Sequence, residues 1–441
     1  MTSMSASTGH DAQFDLFGEA DDGSDPLGAR DPHAGPTHAP ARTRGARVHR
    51  PEGTPDAKVP ATLSAGSAAS TASQASLDGL GLDDTAAPLA APGTPRQAAS
   101  RGRALPVMPA SVDDSVALLG DALPQGIRLG TSTWSFPGWK GIVYRDEVSS
   151  AKLSRDGLHA YGRHPVLGCV GIDRSFYSPL TVAQYARYAA QVPEDFRFVV
   201  KAPASVCDAT IRGPRGGVVG MNMAFLNADI ARDDFVLPCL DGLGHKAGAL
   251  VFQLSPMTPE LLAEPAALID RLGAFFAALP ALDAREGAPV YAIEIRDPVL
   301  LTPRFIRMLR ETRVRYCIGV HARMPDILRQ AAALALLDDD VPGPLIVRWS
   351  LHAGFEYETA KAKYAPFDAI VDADPTTRAA LAELAARYAL AGQSVLITVN
   401  NKAEGSAPLS CIDLASTILA ILDGEREDTD AQTAEAHPLD H

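Results

Sequence analysis

The sequence predicts an α/β fold: a single TIM-like (β/α)8 barrel preceded by a long disordered N-terminal tail. Three observations carry this. From about Gly126 onward, eight short β-branched or apolar runs alternate with Ala/Leu-rich segments of helical period. Eight strands, each followed by a helix, is the pattern of a closed parallel barrel. The runs are near-continuously apolar, as strands buried on both faces should be, yet most end in a polar or charged residue. The rival, an open doubly wound sheet, would carry a glycine fingerprint in its first strand-to-helix turn, and none stands there.

Residues 1–115 read as a disordered Ala/Pro/Gly/Ser-rich tail. Aromatics nearly vanish after Phe17, and no apolar period persists, so too little surface can be buried to offset the entropy of ordering. The domain is expected over 126–422. Its strands are expected at Ile127–Thr133, Val166–Asp173, Phe196–Lys201, Ala249–Leu254, Val290–Arg296, Arg315–Val320, Leu345–Trp349 and Val395–Asn400. Helices are expected at Lys152–Tyr161, Thr181–Gln191, Asn222–Cys239, Pro259–Leu279, Pro303–Glu311, Pro325–Leu337, Pro375–Leu390 and Leu409–Leu422. Thr302-Pro303 and Asp374-Pro375 each place a capping residue before a proline at the first helical position. Residues 424–441 are polar and acidic and read as a second disordered tail.

Composition narrows the setting. The five cysteines are odd in number, scattered and never in CxxC spacing, which suits a reducing cytoplasm better than a disulfide framework or zinc knuckle. The N-terminus lacks the basic and apolar regions of a signal peptide. No run approaches the about 18–20 apolar residues that span a bilayer, so no membrane association is expected. The formal charge of −13 opposes broad nucleic-acid binding without excluding a local basic site.

The C-terminal ends of barrel strands converge on one mouth. Here they supply Thr131, Ser132 and Trp134 from the first strand and its exit, then Asp173 and the following Tyr177 from the second. Lys201, Gln253, Glu294 and Arg296 come from the third to fifth, Arg348 with His352 from the seventh, and Asn400 and Asn401 from the eighth. The first exit, Leu129–Tyr144, spills Trp134 and Trp139 into a loop, where they read as a wall or lid. Ion pairing that closes the mouth would explain one or two such charges; polar residues at seven of eight strand ends favour a ligand site. Lys201, Arg296, Arg348 and the asparagines suit an anionic or heavily hydroxylated ligand. Glu294 and Asp173 are the expected acid/base pair, and Lys201 is a third catalytic candidate, a Schiff base at this lysine requiring a desolvated amine. No HxH or HExxH spacing is present and histidines at the strand ends are few, so no metal site is expected. The sequence leaves the cofactor open. The glycine-rich loop at 213–217 reads as a flexible turn that would at most cradle a phosphate.

Six spaced motifs, GTSTWSFPGWKGIVY, SFYSPLT, FRFVVKAP, LGHKAGALVFQLSP, AIEIRDP and NNKAEGSAP, resemble the YecE-like family, over about Arg128 to Leu422. The resemblance implies a TIM-like barrel and no established activity. It carries over to Gly130, Thr131, Ser132, Trp134, Trp139, Phe176, Tyr177, Lys201, Gln253, Glu294, Arg296, Arg348, Asn400, Asn401, Glu404, Gly405, Ala407 and Pro408. The chain departs from the family pattern at Gly171 and Asp173, where a glutamate and an asparagine are usual. After Arg348 the expected histidine is displaced to His352.

In the tail, Gln13, Phe14, Leu16 and Phe17 form an isolated amphipathic island at 13–18 that resembles the peptide by which bacterial replication and repair proteins dock on the DNA sliding clamp. A chance pentapeptide or a weak local contact with the barrel is the plainer alternative. The arginines at 42, 44, 47 and 50 read as a solvated cluster. Together these features give an expected function. The chain is expected to be a cytoplasmic enzyme, hydrolase- or nuclease-like, acting by acid/base chemistry at the barrel's C-terminal face. Its expected substrate is anionic, a phosphate- or nucleic-acid-like small molecule or nucleic-acid fragment, or a sugar, with a link to DNA metabolism through the clamp. The alternative is a non-catalytic ligand-binding or adaptor barrel recruited by its tail.

Overall fold

The structure, a computed structural model, describes residues 106–436 apart from 213–217, 284–286, 353–354 and 356. The clamp-like island, the arginine cluster and the 213–217 loop lie outside the described residues. Ten strands are described: β1 (Ile127–Thr131), β2 (Leu167–Ile172), β3 (Arg197–Lys201), β4 (Thr210–Arg212), β5 (Val218–Met221), β6 (Ala247–Gln253), β7 (Val290–Glu294), β8 (Arg315–Val320), β9 (Leu345–Trp349) and β10 (Val395–Val399). Eight close into a parallel barrel in the order β1-β10-β9-β8-β7-β6-β3-β2, and β4 and β5 form a separate antiparallel pair between β3 and β6. The first and last strands join in register from Ile127 opposite Val395 to Thr131 opposite Val399. All eight expected strands are present.

Two apolar layers follow from the period of two along a strand. Residues of one phase, Cys169, Val199, Ala249, Val251, Ala292, Cys317, Ile346 and Leu396, fill the barrel interior. Those of the other phase pack outward under the helices. Phe252, for example, meets Phe235, Phe275, Phe276 and Tyr291 at centroid distances of 5.3–6.0 Å. Each such fully buried side chain contributes about 1.5–3 kcal/mol.

The helices depart from expectation where local chemistry intervenes. Lys152–Tyr161 divides at Gly157 into Ser150–Asp156 and Leu158–Tyr161. The region expected as Asn222–Cys239 is helical over Ala228–Ala231, passes through a π turn at Arg232–Val236, and continues as Leu237–Leu243. Pro238 has no N–H to donate at that junction. The helix Asp114–Ala122, which leaves Val116 and Leu119 only partly buried, and the helix Tyr357–Tyr364, which buries Ala360 and Tyr364, lie outside the expected set. Ordered chain starts before residue 115: Val107 is buried, and Pro109 bridges Tyr144. At the other end, the last helix runs Ala407–Ala436, past the expected border at 424. Its Ala407–Glu425 part is long and apolar enough to cross a membrane by length and composition, against the expectation that no run is. Cys411, Leu414, Ala415, Ile418 and Leu422 of this part are buried in the barrel's core.

Gly171 lies close against the exit of the first strand. A Cβ at this inward position would lie 2.6 Å from the Ser132 carbonyl oxygen and 3.0 Å from its carbon, backbone that the β1–β10 pairing holds. Gly171→Ala is therefore expected to destabilise by about 1–3 kcal/mol. Gly126→Ala, whose Cβ would meet only the Gln393 carbonyl at 3.8 Å, should leave urea unfolding unchanged. Equal midpoints for the two variants would refute the close approach.

Candidate functional site

One step above the inner layer, the same strand phase turns from apolar to polar. Lys201 follows Val199, Gln253 follows Val251, Glu294 follows Ala292 and Arg348 follows Ile346, each two residues along its strand. Gly319 follows Cys317, and its lack of a side chain makes room for Glu294: a Cβ there would sit 3.0 Å from Oε1. The polar ring is thus a layer of the barrel itself.

Glu294 is fully buried and lies at its centre. Its Oε2 accepts from Arg348 Nη1 at 2.6 Å, and its Oε1 pairs with Arg296 Nη2 at 2.5 Å. Gln253 Oε1 accepts from both guanidiniums, at 2.8 Å from Arg348 and 3.2 Å from Arg296. Arg348 Nη2 then reaches both oxygens of Asp173, at 2.9 and 3.0 Å, in a bidentate clasp. Burial pushes the Glu294 carboxyl up, but Arg296 and Arg348 outweigh it and hold the group below the usual carboxylate range. A carboxylate engaged at both oxygens by guanidiniums is a poor proton carrier. The expectation that Glu294 is the acid/base group therefore gives way to a positioning role for the two arginines. Arg296 is itself buried, and its Nε and Nη1 have no hydrogen-bond partner among the described residues.

Lys201 stands beside this network. It is 9% exposed, and its Nζ rests 3.4 Å from the centroid of the Phe176 ring. Among the described residues its ammonium has neither an ion pair nor a hydrogen bond. Burial lowers it from 10.5 to about 8, with Asp173 opposing and Arg348 reinforcing the fall. An aromatic under a lysine has no periodic signature, so this role of Phe176 cannot be read from the sequence. Ser175 fixes the turn by donating to the Lys201 carbonyl (2.6 Å) or the Ile172 carbonyl (2.8 Å). The Asp208–Ser255 hydrogen bond, between two loops, was likewise not read from the sequence.

Tyr177 is exposed at the rim, with Asp173 and Asp208 in electrostatic range. His352 packs edge-on to Phe355, and its backbone N–H donates to the Lys402 carbonyl at 2.9 Å. Asn400 is half-buried and accepts from Lys402 at its backbone N–H (3.1 Å) and Nζ (3.3 Å). Ser132 is buried, its N–H on the Val399 carbonyl. Burial and Arg296 push the ring of His321, just past β8, down to about 4, so it is neutral near pH 7.

Three expected ligand residues stand elsewhere, for a reason of phase. Thr131 is one residue out of register with the inward set, and its hydroxyl shares a hydrogen bond with Tyr161 Oη at 2.8 Å. Trp134 is buried, with Nε1 donating to the Leu153 carbonyl at 3.0 Å and its ring edge-on to Tyr188. Asn401 faces away from the mouth's polar ring: its Oδ1 accepts from Trp139 Nε1 at 3.2 Å and from the Ala407 N–H at 2.9 Å. Trp139 is wholly buried. The two tryptophans are core residues rather than a lid. NNKAEGSAP is likewise largely structural. Glu404 Oε1 accepts from the Asp374 N–H (2.7 Å) and Arg378 (2.5 Å), and Gly405 has φ +121° with the Ala369 carbonyl where a Cβ would go. Among the described residues, no three His, Cys, Asp or Glu side chains gather as a metal site.

Two outcomes follow. Glu294→Gln leaves two buried guanidiniums short of a counter-charge and should cost about 3–5 kcal/mol in urea unfolding. Asp173→Asn, at a side chain one-third exposed, should cost clearly less; the reverse order would refute the central place of Glu294. For Lys201 the folded value, about 8, lies below the unfolded 10.5. The unfolded chain therefore binds more protons between those values, and stability rises with pH across that window. Wild type should gain about 3 kcal/mol on Lys201→Met from pH 8 to 10.5; parallel profiles would contradict a desolvated amine.

Comparison with known proteins adds the following. Residues 128–433 match the family described as "Protein of unknown function DUF72". No curated protein matches the chain. A DUF72 family protein from Enterococcus faecalis V583 is similar at 18% identity, covering 66% of this chain and 95% of its own, with a TM-score of 0.43. Another from Thermotoga maritima MSB8 is similar at 15% identity, covering 66% and 98%, with a TM-score of 0.44. The family match spans well over half of the sequence and all of the closed barrel but the first residue of β1, and the chain belongs to the DUF72 family.

Proposed function

We propose that the barrel mouth is the active site of an enzyme acting on a small anionic substrate, a carboxylate or phosphate ester. One observation supports this above the others. Asp173 and Glu294 share their charge with Arg296 and Arg348, and Lys201 adds a further cation that, among the described residues, has no carboxylate paired to it. In a low-dielectric setting an ammonium without a paired carboxylate attracts an anion. Arg296 and Arg348 provide the field, Glu294 and Gln253 keep the guanidiniums in place, and Lys201 moves the proton with Asp173 alongside. Tyr177 forms the exposed rim. The five cysteines, all free and buried, suit a cytoplasmic setting for this activity.

A bound anion would draw Lys201 back toward its charged form, so binding should take up protons near pH 8. Titration calorimetry with inorganic phosphate and with small carboxylates in buffers of different ionisation enthalpy measures this. At least one anion should bind with proton uptake, and Arg296→Met should weaken it tenfold or more. No binding by any anion, or binding indifferent to Arg296, would reject the reading.

A further inference from the structure

We propose that Lys201 is a nucleophile that forms a Schiff base with the carbonyl carbon of a substrate bearing a neighbouring anionic group. The inference rests on the anion-site reading for the class of substrate, but its chemistry comes from the surroundings of the amine. Lys201 ends β3 at the open face of the barrel. Its Nζ lies 3.4 Å over an aromatic ring, and among the described residues no carboxylate pairs with it and no acceptor takes its protons. A lysine kept for structure would be expected to lie in an ion pair, as Arg348 does twice over in the same layer. Desolvation without a paired counter-ion is one of the conditions that make an amine more readily deprotonated, and so more reactive, than a lysine in water.

The charged and titratable groups that act with it across the mouth are Asp173 after β2, Cys207 after β3, Glu294 and Arg296 on β7 and its exit, and Arg348 on β9. Burial lowers the amine to about 8, with Asp173 and Glu294 favouring the charged form and Arg348 and Arg296 the neutral one. At pH 7 an amine titrating near 8 is neutral roughly 300 times more often than one titrating at 10.5.

The step balances without any further reagent. The amine's lone pair adds to the carbonyl carbon, the carbonyl π bond breaks, and its oxygen is protonated. The nitrogen gives up one proton as the carbinolamine forms, and the hydroxyl then leaves as water with a second proton, so that a protonated imine remains. Asp173 and solvent are the proton donors and acceptors. Hydrolysis reverses every stage. The cationic imine withdraws electrons from the adjacent carbon, where an anionic group would lie against Arg296 and Arg348.

The full-length protein treated with glyoxylate and cyanoborohydride, then digested and analysed by mass spectrometry, tests the inference. Reduction of the imine would leave a carboxymethyl group on Lys201. At pH 7 this should form at least tenfold faster than on the exposed Lys361, with a rate that levels off above about pH 8. Lys201→Arg, which keeps the charge, should show no such adduct at position 201 and an unchanged far-UV spectrum. Labelling of Lys201 no faster than of Lys361 would overturn the inference, while the anion site would still stand if phosphate bound in an Arg296-dependent way. Acetaldehyde, a carbonyl without the anion, should label Lys201 much more slowly than glyoxylate. Equal rates would keep the nucleophile and overturn the anionic substrate.

Discussion

A buried carboxylate gripped by two arginines is costly unless every partner is in position. Here Glu294 carries that cost at the point where the barrel stops being apolar. Much of the mouth follows from it. Arg348 can reach across to Asp173 because its other nitrogen is fixed on Glu294 and Gln253. Gly319 has no side chain where the carboxylate needs room. Lys201 is excluded from the pairing and is left on Phe176 as the odd cation. The reactivity argued for the lysine is thus a by-product of how fully the arginines satisfy the acids.

The distinction between scaffold and site within this ring is one of phase. Residues in step with Val199, Ala292 and Ile346 enter the barrel; those one place off support it from outside. Asn400 and Asn401 are adjacent in sequence, yet one lies by Lys402 at the rim while the other ties a buried tryptophan to the start of a helix. Thr131 and Ser132 divide in the same way.

That rule also explains how far the sequence could be read. Strand positions were legible because apolar runs of five or six residues between helical stretches have few other interpretations, and Lys201, Gln253, Glu294 and Arg348 were legible as polar breaks in those runs. At the strand exits a one-residue shift reverses a side chain's direction, and the sequence does not mark where the strand ends, so the outward placing of Thr131 and Asn401 has no local signature. Trp134 and Trp139 lie in a loop by sequence but in the core by packing, a tertiary fact no local pattern carries. The role of Glu294 was hidden for another reason. Whether a carboxyl donates protons or anchors arginines depends on the number of cations at its oxygens, and those come from two strands.

Asn401 also has a bearing on how the molecule is made. It lies just past the last barrel strand, yet it holds Trp139 of the first exit loop, and β10 is the strand that closes against β1. During synthesis the early strands leave the ribosome with one edge open and a tryptophan lacking its partner, until nearly the entire barrel has been translated. An upstream fragment thus carries a vacant strand edge, which makes nascent chains the stage at which this fold most needs protection from self-association.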